Sequence, residues 1–202
     1  MAPPDRREVA IERVTGEALR RHIPDLARLR LQVFRDWPYL YEGDEAYERQ
    51  YLKTYIRSKR AVVVLALDAG RAVGASTALP LADEAGYVTR PFAERGLDIG
   101  RFFYFGESML DPAWRGRGIG VRFFEEREAH ARSFGGIETA CFCAVQRPED
   151  HPMKPTGYVP LDAFWSRRGY VKDPGFVTHF HWRDIGEAEE TEKPMAFWFK
   201  TL

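Results

Sequence analysis

Only two cysteines occur in 202 residues, too few for the disulfide framework that holds small secreted domains together. Cys141 and Cys143 alternate on one strand-like run, so they share a face and lie too close in sequence for an ordinary bridge; buried thiols are expected. No apolar run approaches the ~20 residues that cross a bilayer, and the longest, such as 61–67, are strand-sized. The start, 1–8, is charged and proline-bearing rather than leader-like. The expectation is a soluble, cytoplasmic protein with no membrane partner. Charge of one sign is also lacking: Lys+Arg and Asp+Glu both total 30. Without a basic field, nucleic acid is not an expected partner. No internal repeat is seen. What remains is 45% apolar and 14% aromatic residues, enough for the core of one domain spanning 1–202, in which 183–202 reads as an acidic linker and a candidate final strand.

Periodicity orders the elements. Strand 9–14 leads into a helical pattern over 17–35, where Pro24 suits a helix start, and a second helix covers 45–59 with Tyr47, Tyr51 and Tyr55 on one face. Runs 61–67 and 72–79 form a hairpin around Asp68-Ala69-Gly70. Strand 102–110, helix 121–134 and strand 137–145 make a strand-helix-strand unit, which implies that the two strands are parallel neighbours. A short helix at 161–168, a strand at 176–182 and a final strand at 195–199 complete the order, with long loops at 81–100 and 146–160. His179 and His181 repeat the period-2 spacing of the cysteines, a set that suits zinc in composition. Neither pair sits in the short turn such sites use, so no metal is expected.

The densest signal is Arg115-Gly116-Arg117-Gly118-Ile119-Gly120, which joins a strand to a helix with almost no side-chain bulk. Glycines there let the backbone approach a ligand, and successive N–H groups at a helix start can converge on an anion. A nucleoside triphosphate loop needs Gly-Lys-Ser/Thr, but Ile119 and Gly120 follow Gly118. A dinucleotide fingerprint would lie near the start of a doubly wound domain, without a bulky residue such as Arg117 between its glycines. A tight connection with no ligand is the remaining alternative, and it needs neither three glycines nor two arginines.

The arrangement resembles motif A of the GNAT N-acetyltransferase superfamily, Gln/Arg-x-x-Gly-x-Gly/Ala after a strand, with Arg115, Gly118 and Gly120 in register. Ala163-Phe164-Trp165-Ser166-Arg167-Arg168-Gly169-Tyr170 resembles motif B, a helix ending in a Gly-aromatic pair. The resemblance implies an α/β (α+β) fold with a mixed, mostly antiparallel sheet flanked by helices. It also implies that strands four and five splay apart, and that acetyl-coenzyme A inserts between them. Carried over by position, Ser108, Met109 and Leu110 would offer backbone groups to the acetyl and pantetheine portions. Arg115, Gly116, Arg117, Gly118, Ile119, Gly120 and Val121 would hold the pyrophosphate.

The implied reaction is direct acetyl transfer to a primary amine, of a small molecule or a peptide, and a homodimer is compatible with it. Glu107 stands where relatives carry a carboxylate that attracts or deprotonates the amine; a core-edge salt bridge is the competing role. Trp165 occupies the place of the tyrosine that usually returns the proton, and an indole N–H is no acid for a thiolate. Tyr158, Tyr170 or solvent would replace it, with Tyr158 the preferred candidate. Between the first two helices, Trp37, Tyr39, Tyr41 and the carboxylates of 36–45 suit a wall for a cationic acceptor, or simply a packed turn. A domain that binds the thioester without consuming it is the alternative function.

Overall fold

The computed structural model describes residues 9–202; the 1–8 segment discussed above lies outside the described residues. Seven strands form one sheet: β1 Ala10–Val14, β2 Val62–Asp68, β3 Arg71–Pro80, β4 Phe102–Leu110, β5 Thr139–Val145, β6 Val171–Trp182 and β7 Thr191–Thr201. Their order is β1-β2-β3-β4-β5-β7-β6, and every pairing is antiparallel except β4 with β5. The mixed, mostly antiparallel sheet is therefore present. The candidate final strand is present as β7, longer than the 195–199 run and inserted between β5 and β6, and the acidic stretch 187–190 lies in the turn from β6 to β7.

Two apolar layers cover the sheet. On one face pack α1 Ile23–Phe34, α2 Glu45–Tyr51, α3 Lys53–Arg57 and α4 Gly86–Ala93, contributing Leu26, Leu29, Tyr55, Val88 and Phe92. On the other pack α5 Ile119–Arg132 and α6 Asp162–Ser166, through Phe123, Phe124, Phe164 and Trp165. The 17–35 pattern divides because a 3-10 turn, Gly16–His22, precedes α1, with Pro24 in the first α-helical turn where its missing N–H costs nothing. The 45–59 pattern tightens at Leu52, where the Tyr55 N–H donates to the Leu52 carbonyl. The 81–100 segment is not all loop. It contains α4, whose Phe92 is wedged among Phe102, Phe176, Phe197 and Phe199, and tertiary burial of that ring outweighs the local cost of Gly86 and Pro91.

Two departures from regular pairing create the site. β4 and β5 pair only at Phe102↔Thr139, Phe103↔Ala140 and Tyr104↔Cys141. Beyond that, β4 stays on β3 as far as Leu110 and β5 stays on β7 as far as Val145, so their facing edges part, as the resemblance implied. In the β3–β4 register Ser76 faces Ser108 and Ala78 faces Phe105, which leaves Thr77 opposite both Gly106 and Glu107. This is a β-bulge, and the extra residue inverts the alternation that follows it. Tyr104 and Met109, an odd number of positions apart, consequently share one core face.

Candidate active site

The bulge aims Glu107 at the face carrying α1 to α3. Its backbone N–H donates to Thr77 Oγ1 at 2.9 Å, and its carboxylate is met from four sides. Tyr51 Oη donates to Oε1 at 2.7 Å and Tyr55 Oη to Oε2 at 2.9 Å, while Arg30 donates to Oε1 and Thr77 Oγ1 to Oε2. Gly106 is required here because a Cβ would collide with Tyr55 Oη and Thr77 Oγ1. Arg30 bridges Glu107 to a second buried carboxylate, Glu48, and lies 5.1 Å and 4.5 Å from the Phe34 and Tyr51 ring centroids. Burial pulls the Arg30 guanidinium down, but Glu107, Tyr51 and Glu48 together raise it, so it stays charged. Burial, followed by Glu107, pushes the Tyr51 and Tyr55 phenols well above their ordinary range.

The opposite face of the bulge rests on Arg127 of α5. This buried guanidinium donates to the carbonyls of Thr77 (3.3 Å) and Glu107 (3.2 Å), to Ser108 Oγ (3.0 Å) and to Phe123 O (3.1 Å). It supplies partners to carbonyls that the bulge disturbs. Burial pushes its pKa down to about 10.

After β4, a 3-10 turn, Pro112–Trp114, is capped by Asp111 and delivers the chain to Gly116 and Gly118, whose φ angles are +76° and +80°. Gly118 caps α5 in the left-handed region, where a glycine pays no Cβ penalty. Among the described residues no acceptor meets the N–H groups of Gly116, Gly118, Ile119 and Gly120 in good geometry, whereas the Val121 N–H already donates to Gly118 O at 3.0 Å. Free N–H groups thus lie at the start of a 14-residue helix, where an anion can bind. Arg115 is exposed, Arg117 stacks over Trp114 at 4.5 Å, and Gly120 allows Phe164 of α6 to approach. Ser108 is exposed at the parted β4 edge; the Met109 side chain is buried in the core and Leu110 is partly buried.

The 35–44 loop and the 146–160 loop meet beside the same opening. Trp37 packs against His151 (4.9 Å) and Tyr158 (6.0 Å). Arg147 fastens the loop by donating to the carbonyls of Pro38 and Tyr39 and to both oxygens of Asp184. The loop carboxylates are largely consumed: Asp44 caps α2 through the Tyr47 N–H, Glu42 pairs with Arg35 and Glu45 with Arg49. Tyr39 is packed between Phe34 (4.7 Å) and Trp182 (6.0 Å), and burial first, then the charges of Cys143, Glu107 and Tyr158, raises its phenol. Tyr170 is packed, donating to Glu128 at 3.1 Å, and Trp165 lies 5.1 Å from both Phe142 and Trp198. Cys143 bonds Tyr104 Oη at 3.1 Å in the core, while His179 and His181 face Glu192 on the sheet's outer strands, so the four residues considered for zinc are apart.

Arg30, Glu48, Tyr51, Tyr55, Thr77 and Arg127 all belong to this site and escape a motif-based search. Their signal is a charge on an apolar stripe: Arg30 falls between Ile23, Ala27 and Phe34, Glu48 aligns with Tyr51 and Tyr55, and Arg127 with Phe123, Phe124 and Ala131. Two open depressions, of about 590 and 760 Å³, lie elsewhere, beside α1 and at the Val171 end of the sheet. The converging charges at Glu107 locate the chemistry better than either hollow does.

Comparison with known proteins agrees with this geometry. No curated protein matches the sequence. In structure the chain is similar to ribosomal-protein-alanine N-acetyltransferase from Brucella melitensis (15% identity, 96% of this chain and 99% of that one covered, TM-score 0.62). It is similar also to the loading GNATL domain of CurA from Lyngbya majuscula (13%, 96% and 98%, 0.61). A third neighbour is the PaiA N-acetyltransferase of Thermoplasma acidophilum in complex with coenzyme A (10%, 96% and 99%, 0.54). These likenesses speak to the fold. The model of the acetyltransferase (GNAT) family matches residues 26–156, well over half of the chain, and the protein belongs to that family of acyltransferases.

Proposed function

We propose that the protein is an acetyl-coenzyme A-dependent N-acetyltransferase that moves the acetyl group directly to a primary amine. The observation that carries the proposal is the group of N–H donors between Gly116 and Gly120, without acceptors in good geometry among the described residues, at the start of α5 after the parted edge of β4. Gly116, Arg117, Gly118, Ile119 and Gly120 would hold the pyrophosphate, with Arg115 adding charge. Ser108, Met109 and Leu110 would present the β4 backbone to the pantetheine and thioester. Bound there, the cofactor supplies the activated acetyl group. No helix among the described residues is long and apolar enough to cross a membrane.

The acceptor enters from the face of α1 to α3. Glu48 and Glu107 share Arg30 there, and these buried carboxylates suit a cationic amine better than an anionic one. Tyr39 and Trp37 supply the aromatic wall. Tyr158, whose phenol burial raises, keeps its proton at neutral pH and is our candidate to protonate the departing thiolate. Acetyl-coenzyme A at a hundredfold excess over its Kd should stabilise the protein by about 2.7 kcal/mol, read as a rise in Tm. A protein whose Tm does not respond to acetyl-coenzyme A would contradict the cofactor assignment.

A further inference from the structure

Two carboxylates of this half of the molecule, Glu107 and Glu84, are in opposite conditions. Glu107 is saturated: Arg30 and Tyr51 occupy Oε1, and Tyr55 and Thr77 occupy Oε2, which accounts for all four lone-pair sites of a carboxylate. Any proton taken by Glu107 displaces one of these donors, and the Tyr51 and Tyr55 phenols hold their own protons firmly. Glu84, between β3 and α4, has spare acceptor capacity. Its Oε2 accepts only the N–H of Ala85, at 3.1 Å, and its Oε1 is buried with no partner among the described residues.

We propose that Glu84, and not Glu107, receives the proton of the acceptor amine. This inference rests on the reading of the site as an amine acetyltransferase, and it leaves Glu107 as a positioning residue that fixes Arg30, Tyr51 and Tyr55. The charged and titratable groups around Glu84 come from several elements. Those whose charge is felt at Glu84, or that feel its charge, are Asp83 on its own segment, Arg30 from α1, Tyr51 and Tyr55 from α2 and α3, Tyr87 from α4, Glu107 and Tyr104 from β4, and Cys141 and Cys143 from β5. Burial is the main cause that pushes the Glu84 carboxyl up to about 7; the Ala85 N–H and Arg30 oppose it, and Glu107 and Asp83 reinforce it. A carboxylate titrating near the working pH suits a general base.

The step balances as follows. The ammonium of the acceptor gives one proton to the Glu84 carboxylate, the freed nitrogen lone pair attacks the acetyl carbonyl, and the C–N bond forms as the C–S bond breaks. Tyr158 gives its proton to the departing thiolate, forming coenzyme A, and the second nitrogen proton, lost as the amide forms, passes through solvent to restore Tyr158. Glu84 returns its proton to solvent.

The test pairs kinetics with stability. For wild type, kcat/KM should rise with pH to a plateau with an apparent pKa near 7. Glu84→Gln should lose about 10²–10⁴-fold at pH 8 together with that step. Its stabilisation by acetyl-coenzyme A should be unchanged. Stability gives a second readout with a defined sign. The folded pKa lies above the ordinary 4.5, so Glu84 contributes its stability below pH 4.5 and loses it as pH rises through about 7. The Tm of Glu84→Gln relative to wild type should therefore be higher at pH 8 than at pH 5. A Glu84→Gln enzyme that keeps the wild-type rate and pH step, while Glu107→Gln loses both, would overturn the assignment. So would a Tm difference that does not change with pH. Wild type that acetylates no amine would instead bring down the acetyl-transfer reading itself.

Discussion

Arg30→Met is expected to destabilise the protein by about 3–5 kcal/mol, because it leaves Glu48 and Glu107 as buried carboxylates without their shared cation. Methionine fills most of the space, so lost volume contributes little; the cost is uncompensated charge. For a domain of this size each kcal/mol moves Tm by roughly 2–4 °C, so a fall on the order of 10 °C should appear in thermal unfolding. Combining Arg30→Met with Glu48→Gln should recover part of the loss, since one of the two charges then disappears and the pair is coupled. A single-variant cost below about 1 kcal/mol would show that Arg30 does not hold the two carboxylates together.

The same residues show how far the sequence could be read. The strand-helix-strand unit around the glycine loop was legible because its features are local: a strand-sized apolar run, glycines at 116, 118 and 120, and a helical period after them. The parting of β4 from β5 and the mixed sheet followed only through the family resemblance. The bulge was not legible, since Thr77 and Gly106-Glu107 are about thirty positions apart and only their register reveals the extra residue. The clamp on Glu107 is long-range in the same way, with partners from α1, α2, α3 and β3. Glu107 could be named from its position in the strand, but not the donors that occupy it. Glu84 lay in a segment read as loop, and its distinction, a buried oxygen without a partner, exists only in three dimensions.

Gly118→Val should abolish the response to acetyl-coenzyme A while leaving a folded protein. Position 118 has φ +80°, which a β-branched residue adopts only at a cost of about 1–3 kcal/mol, so the start of α5 must rearrange. No protein atom lies within 4 Å of a Cβ built there, so the core is not overpacked and the damage stays in the loop. The rearrangement re-aims the N–H groups of 116–120 and sets a branched side chain where the pyrophosphate would approach. The expected readout is loss of the roughly 2.7 kcal/mol stabilisation seen at a hundredfold excess over the wild-type Kd. Full stabilisation of a folded Gly118→Val protein would remove the glycine loop from the cofactor site.

Transfer itself is tested most directly by incubating the wild-type protein with acetyl-coenzyme A and a panel of cationic primary amines, following free thiol and the acetylated amine by mass spectrometry. The account predicts amine-dependent release of coenzyme A in equal amount to N-acetylated product. Acetyl-coenzyme A that binds and stabilises the protein but is never consumed, whichever amine is present, would contradict it and mark the chain as a thioester-binding module.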